Sequence, residues 1–151
     1  MFIDTIEGDL ITLFKEGKGH LIHGCNCFHI MGGGIAAHIA KTFPNALEVD
    51  KMTNYGDKSK LGLYSVWWHR VGFDLMYGIN MYTQFNPGPD AQYKAIHDGF
   101  VRLNANFKGL EKPFLVPKIG CGIGGLTWGN VSEIINNVTP DIDLIHVEYK
   151  G

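Results

Sequence analysis

Two short apolar segments of this chain each run into a cluster of glycines and then into a stretch with helical spacing. His20 to Asn26 leads to Gly32-Gly33-Gly34, and Phe114 to Ile119 leads to Gly120-Cys121-Gly122-Ile123-Gly124-Gly125. Strand, glycine turn and helix in that order are the parts of an open α/β sheet, where ligands bind beyond the carboxyl ends of the strands as successive loops part. Two such loops would face one cleft. Glycine tolerates positive φ and lets backbone N–H groups approach an anion, while a helix N-terminus adds partial positive charge. That combination suits a diphosphate.

Neither loop is a standard nucleotide motif. No lysine followed by Ser or Thr stands directly after either cluster, so the Walker pattern is missing. Gly120, Gly122 and Gly125 fit G-x-G-x-x-G after a strand, a match that is weak taken alone.

The rest of the chain continues the alternation. Strands are expected near Phe2 to Ile6, over Gly62 to Arg70 and Phe73 to Tyr82 as a hairpin or close neighbours about Val71-Gly72, and over Leu144 to Tyr149. Helices are expected over Leu10 to Phe14, from Ile35 to about Thr42 with Pro44 as its stop, and over Asn45 to Tyr55 with Asn45 as cap and Leu47, Val49 and Met52 partly inward. Tyr93, Ile96, Phe100, Leu103 and Phe107 recur three or four apart within an expected helix Asp90 to Phe107, and Asn130 to Val138 reads as another. The fold class is α/β, three layers α/β/α about a central mixed sheet.

Composition narrows the function. The chain has 151 residues, 45% apolar and 19% charged, with net charge -2. One domain spanning 1–151 is expected. No basic field exists to hold a nucleic-acid backbone. No apolar run approaches the roughly 18–20 residues that span a bilayer, and the start MFIDTIEGDL is acidic where a secretory signal is basic. A soluble, cytoplasmic protein without a membrane partner is expected. Three cysteines (Cys25, Cys27, Cys121) argue for reduced thiols. His20, His23, Cys25, Cys27 and His29 invite a metal reading, but no second pair with zinc spacing follows, so neither metal nor cofactor is expected. In a strand, His23, Cys25 and Cys27 would point one way and Ile22, Gly24 and Asn26 the other.

Taken together, Gly8-Asp9-Leu10, Leu21-Ile22-His23-Gly24-Cys25-Asn26-Cys27, Met31-Gly32-Gly33-Gly34-Ile35-Ala36, Phe43-Pro44 and Pro117-Lys118-Ile119-Gly120-Cys121-Gly122-Ile123 resemble the macrodomain pattern. The resemblance spans essentially the whole chain in the right order. It implies a cleft for ADP-ribose. Asp9 would accept from the adenine amino group, with Leu10 beside it, and could also cap the helix that follows. Asn26 would bind the distal ribose. Gly32, Gly33 and Gly34, with Ile35 next to them, would wrap that ribose and one phosphate, and Gly120, Cys121, Gly122, Ile123 and Gly124 would hold the diphosphate. Tyr82, Phe85 and Tyr149 are candidates for the flanking aromatic.

L-I-H-x-C-N-C followed by G-G-G-I-A is similar to the small macrodomains that remove the phosphate of ADP-ribose 1″-phosphate, the branch named for Appr-1″-p processing. Hydrolysis of that ester is therefore the expected activity. Release of ADP-ribose from modified macromolecules and non-catalytic reading are the alternatives. Asn26 and His23 are the candidate catalytic residues, although strand alternation separates their side chains. Cys25 lacks the C-x5-R cradle of cysteine phosphatases. The glutamyl-ADP-ribose hydrolase branch carries an acid in the second loop where this chain has Gly124. Asp50, Asp57 and Asp90 are the other acids in segments beside strands, and His29 and His38 read as surface or helix residues.

Overall fold

The computed structural model describes residues 1–149. Six strands, β1 (Phe2–Glu7), β2 (His20–Cys25), β3 (Tyr64–Val71), β4 (Asp74–Tyr82), β5 (Phe114–Val116) and β6 (Leu144–Glu148), form one sheet in the order β1-β6-β5-β2-β4-β3. All neighbours are parallel except β3, which runs antiparallel to β4 along one edge. The helices are α1 (Leu10–Lys15), α2 (Gly34–Thr42), α3 (Pro44–Asp50), α4 (Tyr93–Phe107) and α5 (Trp128–Val138). This is the mixed-sheet α/β/α architecture that the alternation implied. Among the described residues no helix is long and apolar enough to cross a membrane.

Both faces of the sheet are covered. Ile22, Ile79 and Met81 pack with Ile96, Phe100 and Leu103 of α4 and Val131 and Ile135 of α5. Leu21 and Trp67, on the other face, pack with Phe14 of α1, Ile39 of α2 and Ala46 of α3. Helix α4 illustrates why packing decides. It carries Gly99 in its interior, which costs about 1 kcal/mol against alanine, but each buried Ile, Phe or Leu contributes roughly 1.5–3 kcal/mol. A side chain at 99 would also drive a Cβ to 2.6 Å from the Met81 sulfur. Close approach of helix to strand requires the glycine.

The chain from β2 enters α2 on one face, whereas the chain from neighbouring β5 enters α5 on the opposite face. The two glycine loops therefore part from adjacent strands and open a crevice at the carboxyl edge.

Boundaries differ from expectation where proline or a local side chain intervenes. The third helix is Pro44–Asp50, not Asn45 to Tyr55: Pro44 occupies its first turn, its preset φ suiting that position, and Phe43 is the cap residue. Asn45 instead donates from Nδ2 to the Trp68 carbonyl, and Met52 lies outside the helix, exposed. Helix α4 begins at Tyr93, because Asp90 is engaged with the backbone N–H of Asn86. Strand β5 stops at Val116, before Pro117, which has no N–H to donate. Strand β6 ends at Glu148, and α5 begins two residues earlier than Asn130.

Candidate functional site

The crevice is a cleft of about 730 Å³. Gly24 to Asn26 of β2 and its exit form part of its wall, with Gly32 to Gly34 along one side and Gly120 to Gly124 along the other. The backbone N–H groups of Gly32, Gly33 and Gly34, and those of Gly122, Ile123 and Gly124, donate to no protein acceptor among the described residues. Each loop thus presents three donors, and α2 begins directly beyond the first. Donors so arranged suit an oxyanion. The loops meet across the cleft through Ile123, whose Cδ1 lies 3.1 Å from where a Cβ on Gly33 would stand.

Local bonding holds each loop. Asn26, nearly buried, accepts at Oδ1 from the N–H of Phe28 (2.9 Å) and donates from Nδ2 to the Ile30 carbonyl (2.8 Å), so its amide folds the chain that leads into Gly32. One Nδ2 hydrogen is left for a ligand. In the second loop, Leu126 N–H donates to Gly120 O and Ala91 N–H to Gly124 O. Gly120, at φ 76°, takes a left-handed turn that only glycine adopts freely. Gly124 is buried: a Cβ there would stand 2.6 Å from Gly120 O and 2.8 Å from Ala91 Cβ. This loop has no room for an acid at 124.

A second recess of about 500 Å³ adjoins the cleft and shares Gly34, Ile35 and Pro117 with it. Asp9, Leu10, His38, Val147 and Tyr149 line it. Asp9 Oδ1 accepts from the N–H of Thr12 at 3.0 Å, capping α1, while the residue itself stays exposed. The two roles foreseen for Asp9 are thus compatible in space. Of the candidate aromatics, Tyr149 lies here. Tyr82 is buried with its hydroxyl on Asp50 Oδ1 (2.8 Å), and Phe85 packs edge-on to Phe28, so neither lines cleft or recess.

The structure does not bring His23 to the cleft. Its ring is fully buried behind β2, with Nε2 2.6 Å from Asn80 Oδ1. Asn80 also accepts from Trp67 Nε1 and donates to the Ala46 carbonyl and Ser65 hydroxyl, a closed network against α3. Burial lowers the His23 pKa to about 4, so the imidazole is neutral near pH 7. Burial raises the Cys25 thiol well above its usual range, reinforced by Asp50, and burial also raises Cys121. Both are thiols, not thiolates. Asp50 is held by Tyr82, Asp57 caps the turn at Lys58–Lys60, and Asp90 holds Asn86. None of these acids lines the cleft.

After β4 the sequence points to Phe85 and Asp90, whereas the residues of that segment that line the cleft are Thr83, Gln84, Pro87 and Gly88. The signal was topological: β4 is the parallel neighbour of β2, so its exit falls at the same edge. No group of three or more His, Cys, Asp or Glu that could hold a metal ion occurs among the described residues.

No protein-family model matches the chain. Over 153 residues it is 39% identical to an uncharacterised 17.5 kDa protein from the tk-vs intergenic region of Enterobacteria phage T4, covering 99% of this chain and 98% of that protein. It is 26% identical over 159 residues to the ADP-ribose 1″-phosphate phosphatase of Lodderomyces elongisporus, covering 91% and 93%. Among solved structures, the macrodomain of Thermus aquaticus DarG superposes with TM-score 0.76 at 19% identity, over 98% of each chain. Thermosipho africanus DarTG in complex with ADP-ribose superposes with TM-score 0.70 at 19% identity, over 93% of this chain and 40% of that one.

Proposed function

Because this chain has the macrodomain fold and belongs to the same family as the 17.5 kDa protein of phage T4, we propose that it binds ADP-ribose along the two-loop cleft and hydrolyses ADP-ribose 1″-phosphate to ADP-ribose and phosphate. The observation that carries this reading is the continuity of the two recesses through Gly34, Ile35 and Pro117, with unbonded amides between them. A carboxylate at one end suits an exocyclic amine. Six amides midway suit a diphosphate, and Asn26 beyond them suits ribose hydroxyls. The phosphatase named in Lodderomyces and the ADP-ribose held by the Thermosipho protein point to the same ligand class.

In the proposed reaction water attacks phosphorus, the bond from phosphorus to the ribose oxygen breaks, and that oxygen takes up a proton. Neither Cys25 nor Cys121 is a fitting nucleophile, since burial keeps both protonated. His23 is left out of the chemistry and Asn26 holds the distal ribose.

A non-catalytic reader is the second reading. It is favoured by the cleft lining, where Cys25, Cys121 and Lys118 are the ionisable side chains and none is a ready acid or base. The test is phosphate release from ADP-ribose 1″-phosphate beside calorimetric binding of ADP-ribose. Release that disappears in Asn26→Ala supports hydrolysis. Binding without release leaves the reader, and absence of both rejects the ligand class.

A further inference from the structure

Gln84 is half-buried and lines the cleft, two residues beyond β4. Its side chain donates from Nε2 to two carbonyl oxygens of the loop that follows, Asn86 O at 2.7 Å and Gly88 O at 2.9 Å. Both amide hydrogens are therefore spent. Because a carbonyl only accepts, the two bonds also fix which end of the carboxamide is the nitrogen. The loop is closed further by Asn86 N–H to Asp90 Oδ2 (2.8 Å) and Asp90 N–H to Gly88 O (2.9 Å). Ala91, which pairs with Gln84 in an isolated bridge, donates its N–H to Gly124 O of the second glycine loop. The Gln84 amide is thus held in one orientation.

Its oxygen is left over. Oε1 accepts from no protein donor among the described residues, and it is not one of the enclosed side-chain atoms without a partner, which are Thr83 Oγ1 and His146 Nε2. An unpartnered Oε1 that is not enclosed is open to solvent, and the space that Gln84 borders is the cleft. With Nε2 turned into the loop, the other end of the planar carboxamide faces outward. Gln84 lines the cleft but not the recess that holds Asp9. The parallel register of β2 and β4 sets it beside Cys27, whose thiol meets the Gln84 backbone carbonyl at 3.5 Å, one residue past Asn26. Asn26 and Gln84 therefore stand on neighbouring strand exits with opposite capacities: Nδ2 has a hydrogen to give, and Oε1 has lone pairs to receive one.

We propose that Gln84 is a specificity-determining residue whose Oε1 accepts a hydrogen bond from a hydroxyl of the distal ribose. This rests on the ADP-ribose reading of the cleft. In that reading the adenine belongs to the Asp9 recess and the diphosphate to the loop amides. An amide oxygen and an ionised phosphate oxygen both only accept, so Gln84 Oε1 disfavours phosphate and takes an O–H donor. A hydroxyl gives one hydrogen and accepts with its lone pairs, so a ribose diol can give to Gln84 Oε1 while it receives from Asn26 Nδ2. The pair reads the hydroxyls of the sugar, whatever group its anomeric carbon carries.

The test measures by calorimetry the affinity for ADP-ribose, for its analogues with the 2″ or the 3″ hydroxyl replaced by hydrogen, and for ADP, which lacks the distal ribose. The wild type is compared with Gln84→Met, which keeps the length of the side chain and removes the amide. Wild type should bind one of the two deoxy analogues roughly tenfold more weakly than ADP-ribose. Gln84→Met should lose about the same factor for ADP-ribose, yet bind that analogue and ADP as wild type does. A loop merely misshapen by the missing Nε2 bonds would weaken ADP-ribose and both analogues alike and leave their ratio unchanged, which overturns the proposal. So does a wild type that binds both deoxy analogues as tightly as ADP-ribose, a result that needs no variant. A wild type that binds no ADP-ribose at all fails the reading of the cleft, and the proposal with it, so the two failures are distinguishable.

Discussion

Strand β2 separates two opposite uses of polar side chains. On the face toward α3, His23, Asn80, Trp67 and Ser65 bond to one another and to the Ala46 carbonyl in a network that is buried except at half-buried Ser65, whose hydroxyl also meets that of Tyr82. On the cleft side, Gly24 contributes no side chain, Asn26 keeps an unspent amide hydrogen and Thr83 keeps an unpartnered hydroxyl. Groups on the first side are satisfied by one another, whereas those at the cleft keep unused hydrogen-bonding capacity. The difference shows why a histidine three residues before a cleft-lining asparagine need not share its cleft: one residue of register moves a side chain to the other face.

The largest effect should come from breaking the closed face. Asn80→Ala leaves the His23 ring and the Trp67 indole N–H without their shared partner, while Ser65 keeps the Tyr82 hydroxyl, and a loss of roughly 2 kcal/mol or more in urea unfolding is expected, at about 1–3 kcal/mol for each of the two orphaned buried groups. A change smaller than 1 kcal/mol, on the same scale, would break the comparison. Gly33→Val should do the reverse. Its side chain would meet Ile123 across the cleft, so ADP-ribose binding is lost while the melting temperature stays near wild type. Wild-type affinity in that variant would remove the first loop from the site.

Acid titration sharpens the contrast further. Burial lowers both His23 and His20 to about 4, with Lys112 adding to the effect at His20. Each therefore binds a proton more readily unfolded, near 6.5, than folded. Their contribution to stability is complete above about pH 6.5 and is lost as pH falls toward about 4. Asp50 acts with the opposite sign, because burial raises its carboxyl. Imidazole signals followed by NMR separate the groups: His23 should remain neutral at pH 5.5, and titration near 6.5 would show a solvated ring. The smallest effect belongs to Asp9, which serves both fold and ligand. Asp9→Ala should weaken adenine-containing ligands by about 1–3 kcal/mol and remove about 1 kcal/mol of helix capping. Equal weakening of ligands without adenine, measured by calorimetry, would refute its role.

Local signals carried much of this fold. Glycine clusters, Pro44 and the spacing of Ile96, Phe100 and Leu103 act within a few residues, so strand, loop and helix were legible in order. The helix after Pro44 is shorter than its local spacing suggests: Asn45 is a good cap residue in isolation, whereas the structure uses its amide against Trp68 on β3. The motifs around Asp9, Asn26 and the two glycine loops mark residues that the fold does gather at the cleft and its recess. Thr83 carries no such mark, because a threonine after a strand has no distinguishing pattern. Its place follows from β4 lying beside β2, a nonlocal fact that the order of elements leaves open.

A crystal structure of the protein with ADP-ribose tests the central claim most directly. The expected result has the adenine beside Asp9 and Tyr149, the diphosphate on the amides of Gly32 to Gly34 and Gly122 to Gly124, and the distal ribose toward Asn26. A ligand bound in the reverse direction, or away from the two glycine loops, would contradict it.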